Sequence, residues 1–201
     1  MNKQLSREQR SYQRRYGLLF GGIFAAAIGG MWGIGTAAYM GTLSITIILV
    51  SSAITISLIL FAFMARRWQP LGKGSLPYLH SWIFWTKFYG IVIIEVLAIY
   101  ISINWLTTHH HDHAIVPLIA FIVAAHFASL GRINGITLWY GTTLVVGLIV
   151  ISTVLLIPES ATITLGGITT DIWTLVTVSV FTLSLWCTSL GCILLYRRIK
   201  V

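Results

Sequence analysis

Six long apolar stretches, almost free of charge, dictate what this chain can become. They run Tyr16–Ala38, Leu43–Ala65, Trp82–Trp105, Ala114–Leu130, Ile136–Ile157 and Ile172–Tyr196. A helix needs about 20 predominantly apolar residues to cross the hydrocarbon core of a bilayer. Each stretch comes near that length, and none alternates in polarity as a barrel strand would. The expected fold class is therefore all-α: a polytopic membrane protein, a bundle of six transmembrane helices. Its parts are a basic arm over residues 1–15, a six-helix domain over 16–196 and a basic tail over 197–201. Ala25-x-Ala27 resembles a leader cleavage site, but the first apolar stretch continues past it to Ala38 and is read as a retained span.

Composition narrows the function classes. Only 9% of the 201 residues are charged and 57% are apolar, whereas a soluble domain carries roughly a quarter charged residues. A disordered chain, a soluble nucleic-acid-binding domain and a disulfide scaffold are excluded. Cys187 and Cys192 lie five apart, about 140° around a helix axis, and so cannot bridge each other. They read as small buried hydrophobes.

The net charge of +8 reports orientation instead of a nucleic-acid partner. Under the six-span reading all 13 Lys and Arg residues fall on one side. Five precede the first span, from Lys3 to Arg15. Arg66, Arg67 and Lys73 follow the second, and Lys87 opens the third. Arg132 follows the fourth, and Arg197, Arg198 and Lys200 follow the sixth. The opposite connections hold Asp112, Glu159 and Asp171. The positive-inside rule then puts both termini in the cytoplasm. The basic arm can lie against anionic lipid, at about 1 kcal/mol per basic residue near the surface. Trp68, Trp82, Trp85 and Trp139 are expected at the inner interface, and Trp105 and Trp173 at the outer one.

Small and hydroxylated residues mark helix faces. Gly17, Gly21, Ala25, Gly29, Gly33, Ala37 and Gly41 recur every fourth residue, the spacing that lets two backbones approach closely in a bilayer. The central row Gly21, Ala25, Gly29 and Gly33 packs either within the chain or against another membrane subunit docked on helix 1. Ser44, Ser51 and Thr55 share a face of the second span. Thr170, Thr174, Thr177, Ser184 and Thr188 form a longer stripe in the sixth. Such stripes serve either helix–helix contact or the polar wall of a pathway.

Two ionisable residues break the apolar rule most deeply. Glu95 lies mid-way along the third span and His126 two-thirds along the fourth. An ionised carboxylate at that depth costs a few kcal/mol on insertion scales, so it must be protonated, paired or hydrated. A hairpin turning near residues 109–110 puts His126 within about 3 Å of Glu95 along the axis, at 1.5 Å per residue. The pair is the leading candidate for a proton or ligand site, flanked by Ser51, Thr55, Thr177 and Ser184. A structural bond between two helices is the other reading of the same residues. No HExxH, GxSxG or phosphate-cradling loop occurs, so the chain is read as no enzyme and as needing no resident cofactor. The outer loop Thr107-Thr108-His109-His110-His111-Asp112-His113 is a separate candidate. His109, His111, His113 and Asp112 carry the donor types that bind zinc, copper or nickel; a solvated loop is the plainer reading.

The function expected on these grounds is transport of a small solute or ion, or service as a membrane-embedded substrate-binding subunit. The alternative is a non-transporting accessory or immunity-type protein that acts through helix–helix contacts with a partner.

Three segments carry a resemblance. Asp112-His113-x-Ile115-x-Pro117-x-Ile119-Ala120, His126-Phe127-x-x-Leu130-Gly131-Arg132 and Trp139-Tyr140-Gly141-Thr142 together resemble a family of small six-helix bacterial inner-membrane proteins without an assigned activity. The likeness covers about 40 residues and departs from the pattern at Ala128-Ser129. It implies a bacterial inner-membrane protein in which His126 and Arg132 are family positions. The chain is also similar, in size, topology and small-residue spacing, to the six-helix substrate-binding subunits of energy-coupling vitamin transporters. Its very short connection at Tyr39–Thr42 departs from them.

Overall fold

The computed structural model describes residues 7–68 and 82–199. Among these described residues, six helices are long and apolar enough to cross a membrane. They are α1 (Arg7–Thr36), α2 (Ser44–Trp68), α3 (Trp82–Thr108), α4 (Ile115–Asn134), α5 (Leu138–Leu156) and α6 (Ile172–Arg198). Trp85, expected at the inner interface, has a side chain outside the described residues, as does Lys73. No break separates the expected basic arm from the first span, because α1 is continuous from Arg7. Arg15, at the arm's end, is buried against Tyr196 with its guanidinium 5.1 Å from the ring centroid.

The helices pack around α1 and α6, the most extensive pairing in the molecule. Sequence explains that closeness. Gly29 gives its missing Cβ space to Trp186 and Leu185 of α6, Gly33 to Ser51 of α2 and Thr182 of α6, and Gly21 to Trp139 of α5. Ala25 is fully buried. The expected small-residue row is thus filled by the chain's own helices. A second row, unread in the sequence, runs beside it: Gly22 against Ile193 and Cys192, buried Ala26, and Gly30 against Thr55. Two adjacent small rows let α1 bring its backbone close to two neighbours at once.

On the other side, α5 packs on α6 and α4 packs on α5, while among the described residues the only substantial packing of α3 is on α4 and the turn that follows α3. Phe127 of α4 anchors this side. It meets the rings of Trp139, Phe181 and Phe24 at centroid distances of 4.7, 6.1 and 6.4 Å. Trp139 is therefore a core residue, 3% exposed, and not the interface marker expected of it. Its sequence position near Arg132 suggested the interface, but the ring turns inward toward Phe127. Cys192 is buried, Cys187 is exposed, and both are free.

One end of the bundle gathers three turns. Two short 3-10 turns, Ala37–Tyr39 and Gly41–Leu43, link α1 to α2. A two-stranded hairpin, β1 (Thr162–Leu165) and β2 (Ile168–Asp171), lies between α5 and α6. The hairpin turns through Gly166 and Gly167, both at positive φ, the conformation of the tight turn that suits strand twist. The Thr42 amide donates to the Gly166 carbonyl at 2.9 Å. A Cβ on Gly166 would meet the Met40 carbonyl oxygen at 2.4 Å, so only glycine fits this approach. The third turn, Asp112–Ala114 between α3 and α4, joins them through His113. Asp112, Glu159 and Asp171 share this end. At the other end Arg197 lies over Trp68, 5.1 Å from the ring centroid, and α4 closes through left-handed Gly135.

Candidate functional site

The deepest polar contact joins the α3–α4 hairpin. Glu95 is the central residue of Trp82–Thr108, about 20 Å from either helix end at 1.5 Å per residue. Its carboxylate Oε2 lies 2.7 Å from Nδ1 of His126. The approach is close but off the line of the ring N–H, so it is a polar contact without a directed hydrogen bond.

Local sequence sets this geometry. Successive helix residues project about 100° apart. Phe127 is fixed in the aromatic core, so the preceding imidazole is rotated away from that core and toward α3. The rings of His126 and Phe127 stand edge to face with centroids 6.1 Å apart. Thr143 of α5 donates its hydroxyl to the Ala124 carbonyl at 2.6 Å, holding the same stretch of α4 on α5. Glu95 lies on the one face of α3 that packs; Ile93, Ile94, Val96 and Leu97 around it are exposed. The side chains are 17% exposed for Glu95 and 8% for His126. The pair is sheltered on the α4 side and partly open on the other.

Among the described residues no hydrogen bond or ion pair joins the remaining expected members to the pair. Ser51 and Thr55 face Gly33 and Gly30 of α1, and α2 makes no substantial contact with α3 or α4 among the described residues. Thr177 is buried with its hydroxyl unpartnered among the described residues. Ser184 offers its backbone carbonyl to the Thr188 hydroxyl at 2.8 Å. Thr188 in turn touches the Thr142 hydroxyl of α5. That contact is a hydroxyl seam between α5 and α6, whereas Ser44 bonds the Ala37 and Gly41 carbonyls of the connection before α2, both at 2.6 Å. Thr170 belongs to β2 and donates to the Tyr39 carbonyl at 3.4 Å.

The histidine loop is rebuilt more than the sequence suggested. His109 donates Nδ1–H to the Trp105 carbonyl at 2.7 Å and stacks on the Trp105 ring, 4.6 Å between centroids. Asp112 opens the 3-10 turn and stays outside the donor cluster. In its place Glu159, from the connection after α5, approaches His113 Nε2 at 3.1 Å. His111, His113 and Glu159 hold their ligand atoms within 4.8 Å of one another. Glu159 was missed because 46 positions separate it from His113 and only the tertiary packing of α4 on α5 closes that gap. Arg15 was missed because a basic residue before a span reads as solvated.

Comparison with protein-family models, with curated proteins and with solved structures finds no match to this chain.

Proposed function

We propose that this chain is a multi-pass protein of the cytoplasmic membrane, with both termini inside, that moves a proton or small cation, or binds a small solute as the membrane-embedded subunit of a transporter. The site is the Glu95–His126 pair. One observation carries the reading: a carboxylate at the centre of a membrane-length helix, 2.7 Å from an imidazole on the next helix. Such a carboxylate costs about 2.5–3.5 kcal/mol at the bilayer centre on insertion scales, an expense a purely structural contact between two apolar helices does not require. Both groups can take up and release a proton. Among the described residues the substantial packing of α3 is on α4 and the turn between them, so the pair lies away from the α1–α6 core. The orientation rests on the basic residues clustered at one end and the acids Asp112, Glu159 and Asp171 at the other.

The test is proton uptake into proteoliposomes that contain a pH-sensitive dye, driven by a potassium diffusion potential. Wild type is expected to exceed protein-free vesicles, and Glu95→Gln to fall to their level. Equal uptake by wild type and Glu95→Gln rejects the pair as a transport site. Wild-type uptake no greater than that of protein-free vesicles rejects proton movement. The second reading, an accessory protein without transport, then stands on the outward apolar face of α3, which no other described helix covers.

A further inference from the structure

The acidic end of the bundle carries a second cluster that the transport reading leaves unused. We propose that His111, His113 and Glu159 bind one borderline divalent transition-metal ion, of which zinc is the type, and that this ion clasps the α3–α4 turn to the connection between α5 and α6.

The donor set comes first. Two imidazoles and one carboxylate are a zinc set that leaves a fourth position for water. Calcium and magnesium prefer all-oxygen sites, so nitrogen donors select against them. Geometry agrees. Bonds of about 2.0–2.1 Å arranged tetrahedrally put ligand atoms about 3.3–3.4 Å apart. His113 Nε2 and Glu159 Oε2 are already 3.1 Å apart. The third donor lies within 4.8 Å of both, so a side-chain shift of at most about 1.5 Å closes the triad around an ion.

The surroundings fix these donors from behind. His110 takes a left-handed conformation, φ 59°, at the end of α3. The His111 amide then bonds back to the Leu106 carbonyl at 2.9 Å, which sets where His111 leaves the helix. The Asp112–Ala114 turn follows and brings His113 beside His111, with ring centroids 5.9 Å apart. Trp173 packs edge-on to His113 at 5.1 Å. Its indole N–H donates to the Ile157 carbonyl at 3.0 Å. The Ala161 amide closes a turn on the Pro158 carbonyl at 3.0 Å, with Glu159 inside it. Thus one tryptophan both walls the site and holds the loop that supplies its carboxylate, the outer support that metal ligands need. His109 stands outside the group: its Nδ1–H goes to the Trp105 carbonyl, and its ring nitrogens are not among the ligand atoms that lie within 4.8 Å of one another. The donors come from two connections far apart in sequence, unlike a flexible histidine tract that chelates by itself.

The experiment is calorimetric titration of zinc chloride into the full chain in detergent, with any affinity tag removed and the protein first dialysed against chelator. One zinc per chain is expected. Glu159→Gln and His113→Ala are each expected to weaken binding at least tenfold, while His109→Ala/His110→Gly, which keeps the left-handed turn, binds as wild type does. X-ray absorption of the zinc-loaded wild type, which needs no variant, is expected to count two imidazoles with the other ligands oxygen. Wild type without stoichiometric binding overturns the proposal. So does Glu159→Gln binding as tightly as wild type, or loss of binding in the His109/His110 variant. Three or more imidazoles around the zinc also overturn it.

Discussion

Gly30→Ala is the sharpest probe of how α1 is held. A Cβ at Gly30 would lie 2.5 Å from Thr55 Oγ1, 2.9 Å from Thr55 Cγ2 and 3.2 Å from Thr55 Cβ. Rotating Thr55 can move the first two atoms but not the third, whose place is fixed by the α2 backbone. The helices must therefore separate, and overpacking of this kind costs about 1–3 kcal/mol. Against that, alanine in place of glycine gains up to about 1 kcal/mol of helix propensity. With two of three contacts under 3.0 Å, the net loss should be about 1–2 kcal/mol. Thr55 supplies the control. Its hydroxyl is buried with no hydrogen-bond partner among the described residues, so Thr55→Ala alone should cost little. The double variant should recover most of the loss, a coupling of about 1–2 kcal/mol. The assay is unfolding of the purified protein in mixed micelles by increasing detergent denaturant, followed by helix signal. An unaffected Gly30→Ala, or a double variant as unstable as Gly30→Ala alone, would refute the packing of α1 on α2 described here.

Substitutions at two further positions use the same assay. His110→Gly should stabilise by up to about 1 kcal/mol, because a non-glycine residue in the left-handed region costs about 1–2 kcal/mol and glycine's larger unfolded-state entropy offsets part of that. His110→Val should destabilise, and equal effects of the two would deny the left-handed turn. Asp171 caps α6 by accepting from the Thr174 amide at 3.2 and 3.3 Å. Asp171→Ala should lose about 1 kcal/mol while Asp171→Asn stays near wild type, and indistinguishable Ala and Asn variants would show that no cap operates.

The spans were legible because an uncharged apolar run of bilayer length has little use in a water-soluble fold. The expected ends lie close to those found; Ile172 opens the sixth helix as the sequence indicated. Where ends moved, local chemistry decided. The third helix runs on to Thr108 because the His110 turn closes it there. The hairpin between Thr162 and Asp171 escaped notice although Gly166-Gly167 sits between alternating residues, a recognisable turn signal in a short connection flanked by two dominant apolar runs. The Glu95–His126 approach was legible because a hairpin places residues equidistant from its turn at one level. Which faces met was not, since that depends on Phe127 engaging rings from α1, α5 and α6. The metal-capable triad was half legible for the same reason: the histidines are adjacent in the chain, whereas Glu159 arrives only through folding.

The grip of Glu95 on His126 can be observed at the imidazole itself. In protein labelled with 15N at its six histidines, the ring resonances of His126 are those missing from a His126→Asn variant. Glu95→Gln should displace these resonances and leave the other histidines where they are. Ring resonances of His126 that ignore the loss of the Glu95 carboxyl group would contradict the contact on which the proposed function stands.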